Sequence, residues 1–522
     1  MTNTHAPLSN TLTTMQWSFD LANEDETLIL AEALAKLWSP GDLVTLSGDL
    51  GAGKTSFARA LLRALMNDAT LEVPSPTFTL IQTYEAERLP IVHADLYRLK
   101  EPDELEELGF DELTAKALTL VEWASQAPSL LARPHVDVLF ALRAGTEGIG
   151  RHVTITATGK YSEQIKSTVE RVSFLAECGW LSATRHAIAG DASGRHFERL
   201  TKREGTAILM VAPKPPSGPV LRNGRTYRAL ARLSDSLESF IAMADGLRAQ
   251  KISAPRIIAQ RSAAGLLLVE DFGSVGIADA SGPVEERYRE AAGLLARLHS
   301  LPLTQWVTSE RALAYRLPAY DLEPLLIEVE LFLDWYSPAF ANTPVSASAR
   351  EDFLALWQRL LEPCLFEKQT WTLRDFHSPN LFWLAEREED QRIGVIDIQD
   401  AVYGHPAYDV GSLLQDARIF ISEELELSLF EHYVTRRLAF DPHFDVARFA
   451  SAYAIYAAQR VTKILGIFVR LDRRDGKPDY LRLLPQLRAY LRRNLAHPAL
   501  VDLAHWFKTH APYALDESRD AS

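Results

Sequence analysis

The stretch GDLGAGKT at residues 48–55 decides the fold of the N-terminal part of this chain. It fits the pattern G-x-x-x-x-G-K-[ST] in full, follows the apolar run DLVTLSG (42–48) and opens SFARALLRALM (56–66), whose apolar residues recur at helical spacing. A strand, a glycine-rich turn and a helix in this order surround phosphate oxygens with backbone N–H groups and the positive end of a helix. The alternative is a glycine turn with a chance Lys-Thr pair. The strand before the motif and the helix after it favour phosphate binding.

Each residue of this motif has an expected role with ATP and Mg²⁺. Lys54 is expected to reach the β- and γ-phosphates, and the Thr55 hydroxyl is expected to ligate Mg²⁺. The other predicted nucleotide-binding residues of the turn are Gly48, Asp49, Gly51, Ala52 and Gly53.

Two carboxylates follow neighbouring strand candidates. Asp95 ends LPIVHAD (89–95), and Glu122 lies at the end of the strand in LTLVEW (118–123). Open α/β sheets bind ligands at the carboxyl ends of their strands, so Asp95 is expected to hold Mg²⁺, directly or through water. Glu122 is expected to lie at the metal and to orient or deprotonate the attacking water. For either acid alone, helix capping or simple solvation is the alternative.

The surrounding pattern resembles the TsaE family of small ATPases over roughly residues 15–160. The motifs that carry the resemblance are GDLGAGKTSF, VPSPTFTL, HADLYRL, ELGFDE and VEWA, in the family's order and spacing. The resemblance implies ATP hydrolysis while docked on the TsaD–TsaB pair, which attaches threonylcarbamoyl to the adenosine 3′ of the tRNA anticodon. It also implies a switch-like segment formed by Ser75, Pro76, Thr77 and Phe78. Trp123 is expected either to shape the site or partner surface, or to be a core tryptophan.

The composition limits the class of protein. The chain has 522 residues, more than one core normally serves, and a net charge of −14. An acidic chain is not expected to grip nucleic acid over a broad surface, so any tRNA is expected to be held by the partner subunits. The two cysteines suit a reducing cytoplasm, and we expect no signal peptide, no membrane span and no disulfide framework.

The strand candidates predict an α/β P-loop NTPase domain with a largely parallel sheet over residues 15–160. Its remaining strand candidates are VDVLFALR (136–143) and HVTITATG (152–159). The polar stretch around 160–175 is expected to lead into a second unit, a bilobal, protein-kinase-like α+β domain at 175–510. Its small lobe, rich in strands, is predicted at about 175–278, and its helical lobe at about 279–510.

The segment TLRDFHSPNLFWL contains the candidate catalytic loop of the second unit. Asp375 is followed five residues later by Asn380, the D-x-x-x-x-N spacing in which Asp handles the substrate hydroxyl proton and Asn binds a metal ion. Asp397 ends the apolar run IGVID and is expected to bridge Mg²⁺ to the phosphates. Such Asp–Asn pairs are common by chance, so the flanking sequence must show whether this one belongs to a catalytic loop.

LRDFHSPNLFWL and VIDIQDAVYGHPAYDVGSLL resemble the aminoglycoside phosphotransferase and choline kinase superfamily over roughly residues 175–500. The resemblance implies that Asp409 braces the catalytic loop and that His377 stabilises the loop rather than acting as a base. It implies a nucleotide loop with Gly190 and Ser193, and a hinge marked by Glu270 where backbone groups meet adenine.

The second unit departs from the superfamily in its phosphate-binding cation. The strand expected to carry a lysine, AILMVAP, has none; Lys202 precedes it and Lys214 follows it. The loop is also an Arg-Asp variant, because Arg374 stands where many members have histidine.

GDASGRHFERL, the AILMVAP strand and LLLVEDFG resemble a branch of anomeric sugar kinases acting on N-acetylmuramate and N-acetylglucosamine. That branch also lacks an obvious strand lysine, and it implies transfer of the ATP γ-phosphate to an amino-sugar hydroxyl. Two alternatives stay open: a pseudokinase that serves as scaffold or nucleotide sensor, which the missing lysine favours, and an aminoglycoside-modifying phosphotransferase.

Overall fold

The computed structural model describes residues 13–101, 103–145, 148–188, 194–216, 218–308, 314–341 and 343–520. The chain divides into two compact units. The first runs to Ala187 and takes in Glu198–Leu209, and the second comprises Ile188–Phe197 and the chain from Met210 onward.

A seven-stranded sheet forms the centre of the first unit, in the order β1–β7–β6–β2–β5–β4–β3. Its strands are β1 Thr14–Leu21, β2 Leu43–Ser47, β3 Ile81–Glu85, β4 Pro90–Asp95, β5 Leu118–Glu122, β6 Val136–Gly145 and β7 Gly148–Thr158. Five of them, β2 and β4 to β7, were predicted from the sequence. The helices are α1 Glu24–Ala35, α2 Lys54–Met66, α3 Glu104–Glu107, α4 Phe110–Thr114, α5 Pro128–Leu131 and α6 Tyr161–Glu177.

The prediction of a largely parallel sheet was wrong for the outer strands. The central pairs β6–β2, β2–β5 and β5–β4 are parallel, whereas β1–β7, β7–β6 and β4–β3 are antiparallel. The chain between β3 and β4, and between β6 and β7, is too short for the crossover that a parallel pair needs. The sheet is therefore mixed, and its parallel centre carries the motif of residues 48–55.

The polar stretch around residues 160–175 is helical. Helix α6 buries Tyr161, Ile165, Val169 and Val172 and packs against α1, β1 and β7. Apolar residues three and four positions apart give the helix one apolar face, while its charged residues lie on the other. This helix is therefore part of the first unit's core.

Five strands from residue 184 onward form a second sheet, in the order β13–β14–β10–β9–β8. The strands up to β14 are β8 Thr184–Ile188, β9 His196–Lys202, β10 Gly205–Val211, β11 Val220–Arg222, β12 Arg225–Thr226, β13 Ile257–Arg261 and β14 Leu266–Glu270. Helices α7 Tyr227–Leu230 and α8 Leu237–Ala249 lie between β12 and β13 in the chain.

The rest of the second unit is mainly helical, as predicted. Its helices are α9 Glu285–Leu298, α10 Leu322–Leu331, α11 Ser337–Phe340, α12 Ala347–Leu361, α13 Ala407–Leu414, α14 Glu423–Phe440, α15 Val446–Asp475, α16 Leu484–Leu495 and α17 Val501–His510. Short strand pairs interrupt them: β15 Ala278–Asp279, β16 Gly282–Pro283, β17 Trp306–Val307, β18 Tyr315–Arg316, β19 Thr370–Thr372, β20 Leu381–Trp383, β21 Ile393–Val395 and β22 Val402–Gly404. The pairs β19–β22 and β20–β21 hold the candidate catalytic loop between them.

Candidate functional sites

The glycine-rich turn joins β2 to α2, and its backbone conformation disfavours a side chain at two of its glycines. Gly48 and Gly53 have φ angles of 124° and 117°, which side chains disfavour. A Cβ on Gly48 would lie 2.2 Å from the Phe140 carbonyl oxygen, and one on Gly53 would lie 2.4 Å from Arg151 Nε. The backbone of the turn is thus packed closely against β6 and β7 while α2 begins directly behind it.

Lys54 is the first residue of α2 and is buried. Its Nζ donates to the carbonyl oxygens of Gly48 at 2.6 Å and Asp49 at 2.9 Å, and lies 4.1 Å from the centre of the Trp123 ring. Burial lowers the pKa of Lys54, although the negative charges of Glu122 and Asp95 oppose the shift. The ammonium is therefore held over the turn.

Trp123 plays both of the roles expected for it. Its backbone has a φ of 60°, and its ring packs against the core cluster that contains Val121 and Phe110. The same ring lies beside the Lys54 ammonium.

The two predicted acids of the first unit lie side by side. Asp95 and Glu122 are register partners at the ends of the parallel strands β4 and β5, and both are buried. Glu122 Oε2 accepts a hydrogen bond from Thr55 Oγ1 at 3.0 Å. Asp95 Oδ2 accepts from Thr77 Oγ1 at 2.7 Å and from Ser75 Oγ at 3.2 Å. The switch-like segment is therefore bonded to the acid that was predicted to bind the metal.

Sequence reasoning missed two side chains of this site, His93 and Arg151. The Nε2 of the fully buried His93 lies 3.1 Å from Glu122 Oε1. A histidine two residues before Asp95, in an otherwise apolar strand, was the available signal. The buried Arg151 donates from Nε to the Ala52 carbonyl oxygen at 3.2 Å. Nothing in the sequence pattern connects β7 to the turn.

In the second unit, Asp409 braces the backbone of the catalytic loop as expected. Its carboxylate accepts from the N–H of Leu373 at 2.7 Å and the N–H of Arg374 at 2.8 Å. Burial raises the pKa of Asp409 to about 7, against the effect of these two bonds. Arg374 has a φ of 67°, which turns the chain so that the next residue, Asp375, is 41% exposed at its side chain.

The loop brings the three predicted catalytic and metal-binding residues together. Asn380 Nδ2 donates to the backbone carbonyl of Asp375 at 3.0 Å, and the N–H of Ile396 donates to the Asn380 carbonyl at 3.0 Å. The next residue, Asp397, is therefore at the same end of the β20–β21 pair. Burial and the negative charge of Asp375 raise the pKa of Asp397 to about 6. Asp397 Oδ1 accepts from Gln399 Nε2 at 2.7 Å.

Burial controls the protonation of His377 in this loop. Burial lowers the pKa of its imidazole to about 4, which leaves the ring neutral at pH 7. Its Nε2 lies 3.9 Å from Asp375 Oδ1, beyond hydrogen-bonding distance. The His377 backbone is bonded within the loop instead: its N–H donates to the Asp375 carbonyl at 3.1 Å, and its carbonyl accepts from the Asn380 N–H at 2.9 Å.

A buried charge network behind the loop explains the Arg-Asp variant. Arg374 donates to the Ala231 carbonyl at 3.0 Å and to the carboxylate of Glu328. Lys463 Nζ lies 3.1 Å from Glu328 Oε1, the same oxygen that accepts from Arg374, and Tyr320 OH donates to Oε2 at 2.6 Å. Because Glu328 is fully buried, its charge is supported by these partners. Sequence reasoning missed this residue, since its partners are far away in the chain.

Of the remaining residues predicted to bind nucleotide in the second unit, the structure describes only Glu270. Glu270 ends β14; its N–H donates to the Arg256 carbonyl at 2.9 Å, and its Oε1 accepts from Arg387 Nη2 at 2.7 Å. Its side chain is therefore committed to an ion pair, and its role at the adenine stays a prediction. Gly190 and Ser193 lie outside the described residues.

Two features of the described part of the chain bear on its class. Within it, no helix is long and apolar enough to cross a membrane. No cluster of three or more His, Cys, Asp and Glu side chains there is arranged to hold a metal ion by itself.

Comparison with known proteins divides the chain as the two sites do. A model of the threonylcarbamoyl adenosine biosynthesis protein TsaE matches residues 21–151, and a model of the phosphotransferase enzyme family matches residues 184–449. The N-acetylmuramate/N-acetylglucosamine kinase of Caulobacter vibrioides is 35% identical over 66% of this chain and 96% of its own length. The tRNA threonylcarbamoyladenosine biosynthesis protein TsaE of Rickettsia felis is 47% identical over 23% of this chain and 68% of its own length.

Solved structures are less similar. An ethanolamine kinase of Plasmodium vivax is 10% identical, covers 66% of this chain and 90% of its own, and has a TM-score of 0.43. That likeness is too weak to add to the family matches.

Proposed function

The chain belongs to the phosphotransferase enzyme family through its C-terminal part and to the TsaE family through its N-terminal part, and we propose that it is a bifunctional ATP-using enzyme. The first unit is an ATPase of the tRNA threonylcarbamoyladenosine machinery, with a P-loop NTPase fold. The second unit is an amino-sugar kinase. One observation carries the proposal: each unit brings together its own candidate residues for ATP chemistry, Lys54 with Glu122 in one and Asp375 with Asp397 in the other.

The donor atoms of both sites fit Mg²⁺. Carboxylate, amide and hydroxyl oxygens are the ligands it prefers, and nucleotide sites hold it with one or two carboxylates plus phosphates. Mg²⁺, when bound, neutralises phosphate charge, and it would be held by Thr55 and Asp95 in the first unit and by Asn380 and Asp397 in the second.

In the first unit, the residues around ATP are fixed before the nucleotide binds. The turn at 48–53 presents backbone N–H groups to the phosphates, and the Lys54 ammonium, bonded to two carbonyls of the turn, supplies positive charge. Glu122 would orient the attacking water. Contacts of 3.1 Å to His93 and 3.0 Å to Thr55 support this by limiting how its carboxylate can rotate.

The partners proposed for this unit are TsaD- and TsaB-like subunits, with tRNA held by them. Two apolar side chains beside the nucleotide turn support docking on this edge of the sheet: Leu50 is 80% exposed and Phe78 is 82% exposed. Phe78 belongs to the segment whose Ser75 and Thr77 contact Asp95, so the segment would report nucleotide state to a partner.

Replacing the nucleotide-binding lysine tests the first activity. Lys54→Ala should remove threonylcarbamoyladenosine from cellular tRNA, measured by mass spectrometry of nucleosides in cells whose only copy of the ATPase is this chain. Asp375→Asn in the same cells should leave the modified nucleoside at its normal level. Unchanged modification in the Lys54→Ala cells would refute the assignment.

In the second unit, Asp375 would accept the proton of the substrate hydroxyl as the γ-phosphate is transferred. Asp375 is half-buried, and burial raises its pKa, but the positive charges of Lys463 and Arg374 outweigh that effect. Its pKa is therefore lowered, which keeps the carboxylate ionised at neutral pH. Asn380 is bonded to the backbone of Asp375, so the proton acceptor and the metal ligand are held as one piece.

The proposed substrate is an amino sugar, as the name of the Caulobacter relative suggests. The hydroxyl proposed as the acceptor is the anomeric one. A panel of ATP, Mg²⁺ and candidate acceptors tests this with the purified chain. N-acetylmuramate or N-acetylglucosamine should be phosphorylated, and Asp375→Asn should lose roughly a hundredfold or more in rate. Transfer to an aminoglycoside alone would favour a resistance enzyme, and no transfer to any acceptor would favour a pseudokinase.

A further inference from the structure

The second unit lacks a lysine on the strand where kinases place the one that binds phosphates. The matching strand, β10, ends in Met210 and Val211. The lysine before it, Lys202, points elsewhere: its Nζ donates to the Gly179 carbonyl at 3.1 Å and lies 4.3 Å from the centre of the Trp180 ring. A different group must neutralise the phosphates if this unit transfers them.

No lysine of the second unit takes this place within the described residues. None forms an ion pair with Asp375 or Asp397 there. Lys463 is committed to Glu328 at 3.1 Å, and Lys214 is exposed on the segment after β10.

We propose that Arg195 binds the phosphates of ATP in the kinase site, in place of the strand lysine. The inference rests on the kinase function proposed above. Arg195 immediately precedes β9, and its Nη1 lies 3.6 Å from Asp397 Oδ1. Its side chain is only 16% exposed. Among the residues that the structure describes, it is the one cation within ion-pair distance of this acid.

The chemistry of the guanidinium group suits this task. It is always protonated, and its planar set of N–H donors binds two oxygens of one phosphate at once. A distance of 3.6 Å exceeds that of a charge-assisted hydrogen bond, so Asp397 does not hold the group in a tight pair. Arg195 lies beside Asp397, the carboxylate that would hold the metal, and the negatively charged phosphates of ATP would bind close to that metal.

A purely structural role makes a different prediction. Asp375, Asp397 and Asp400 repel one another, and the charge of Arg195 offsets that repulsion. If this were its whole purpose, loss of Arg195 would weaken binding of the entire nucleoside or of the fold, and not of the phosphates in particular.

The test measures binding of ATP and of adenosine to the full chain in a Lys54→Ala background, so that the first unit does not contribute. Arg195→Met should weaken ATP binding roughly ten- to a hundredfold and leave adenosine binding unchanged. Arg195→Lys, which restores the charge without the planar fork, should recover part of the loss. In sugar phosphorylation, the loss should appear mainly in the KM for ATP.

Lys202→Met is the matched control, since it removes the lysine that precedes β10. It should leave ATP affinity within twofold of the parent, with an unchanged Tm for all variants. Unchanged ATP affinity in Arg195→Met, an equal loss for adenosine, or the same loss in Lys202→Met would each overturn the inference. If the parent phosphorylates no sugar but binds ATP in an Arg195-dependent way, the kinase function fails while the role of Arg195 stands.

Discussion

At the scale of single residues, Glu328 shows how much of the catalytic loop depends on a group outside it. Its buried carboxylate contacts Arg374 and Lys463, and burial, which favours the neutral form, is outweighed so that the pKa of Glu328 is lowered. Removing it would leave two buried cations without their counter-ion. The loop residue Arg374 would then lose the contact that fixes its direction.

Glu328→Ala is therefore expected to destabilise the second unit by about 3–5 kcal/mol. The measurement is the free energy of unfolding in urea, with unfolding of the second unit monitored by hydrogen exchange of peptides from α9 and α15. Glu323→Ala is the matched control from the same helix, because its partners Arg225 and Arg232 are partly exposed. It should cost no more than about 1 kcal/mol. Equal effects of the two changes would contradict the role of the buried network.

The residues predicted from the sequence are those with a local signal. Lys54 and Thr55 belong to one continuous motif, and Asp375 and Asn380 have a fixed spacing in one loop. His93 and Glu328 escaped prediction because their roles come from contacts across the fold. Arg195, at the end of the candidate nucleotide loop, had no predicted role of its own, because its contact with Asp397 joins residues about two hundred positions apart.

At the scale of elements, strands made mostly of apolar residues were predicted from the sequence, whereas two edge strands of mixed polar and apolar residues were not. Strands β2, β4 and β5 are continuous apolar runs, as buried parallel strands are. Strands β1 and β3 at the two edges of the sheet mix polar and apolar residues, and they were missed. Helix α6 was taken for a polar link because charged and polar residues separate the apolar ones along its first half, GKYSEQIKSTVE.

Helix α6 gives a direct test of this correction. Ile165→Ala should lower the free energy of unfolding of the first unit by about 2–5 kcal/mol, since the side chain is fully buried. Glu163→Ala on the exposed face should stay within about 0.5 kcal/mol of the parent. Both are measured by urea unfolding with hydrogen exchange of β1 and β7 peptides. Equal effects would mean that the helix does not belong to this core.

At the scale of the whole molecule, buried histidines predict how the second unit responds to acid. Burial lowers the pKa of His377 to about 4, and burial also lowers the pKa of His299 and of His405. In the unfolded chain these groups titrate near 6.5. Below that pH the unfolded chain binds protons that the three folded histidines do not, so these histidines lower stability as the pH drops from about 6.5 toward 4. The raised pKa values of Asp409 and Asp397 act in the opposite direction, because the folded unit protonates these acids before the unfolded chain does.

The slope of stability against pH between pH 7.5 and 4.5 checks this expectation. His377→Asn should reduce the acid-induced loss of unfolding free energy by at most about 3 kcal/mol. His505→Gln, a change at an exposed position of α17, should leave the slope as it is. An unchanged slope in His377→Asn would show that the ring takes up protons in the folded unit.

The central claim is that one chain holds two separate ATP sites with different purposes. The most direct measurement is phosphate transfer from ATP to N-acetylglucosamine and N-acetylmuramate by the purified chain, its Lys54→Ala variant and its Asp375→Asn variant. The account predicts a sugar phosphate from the parent and from Lys54→Ala, and none from Asp375→Asn. No sugar phosphate from the parent, or its loss in Lys54→Ala with Asp375→Asn still active, would contradict the account.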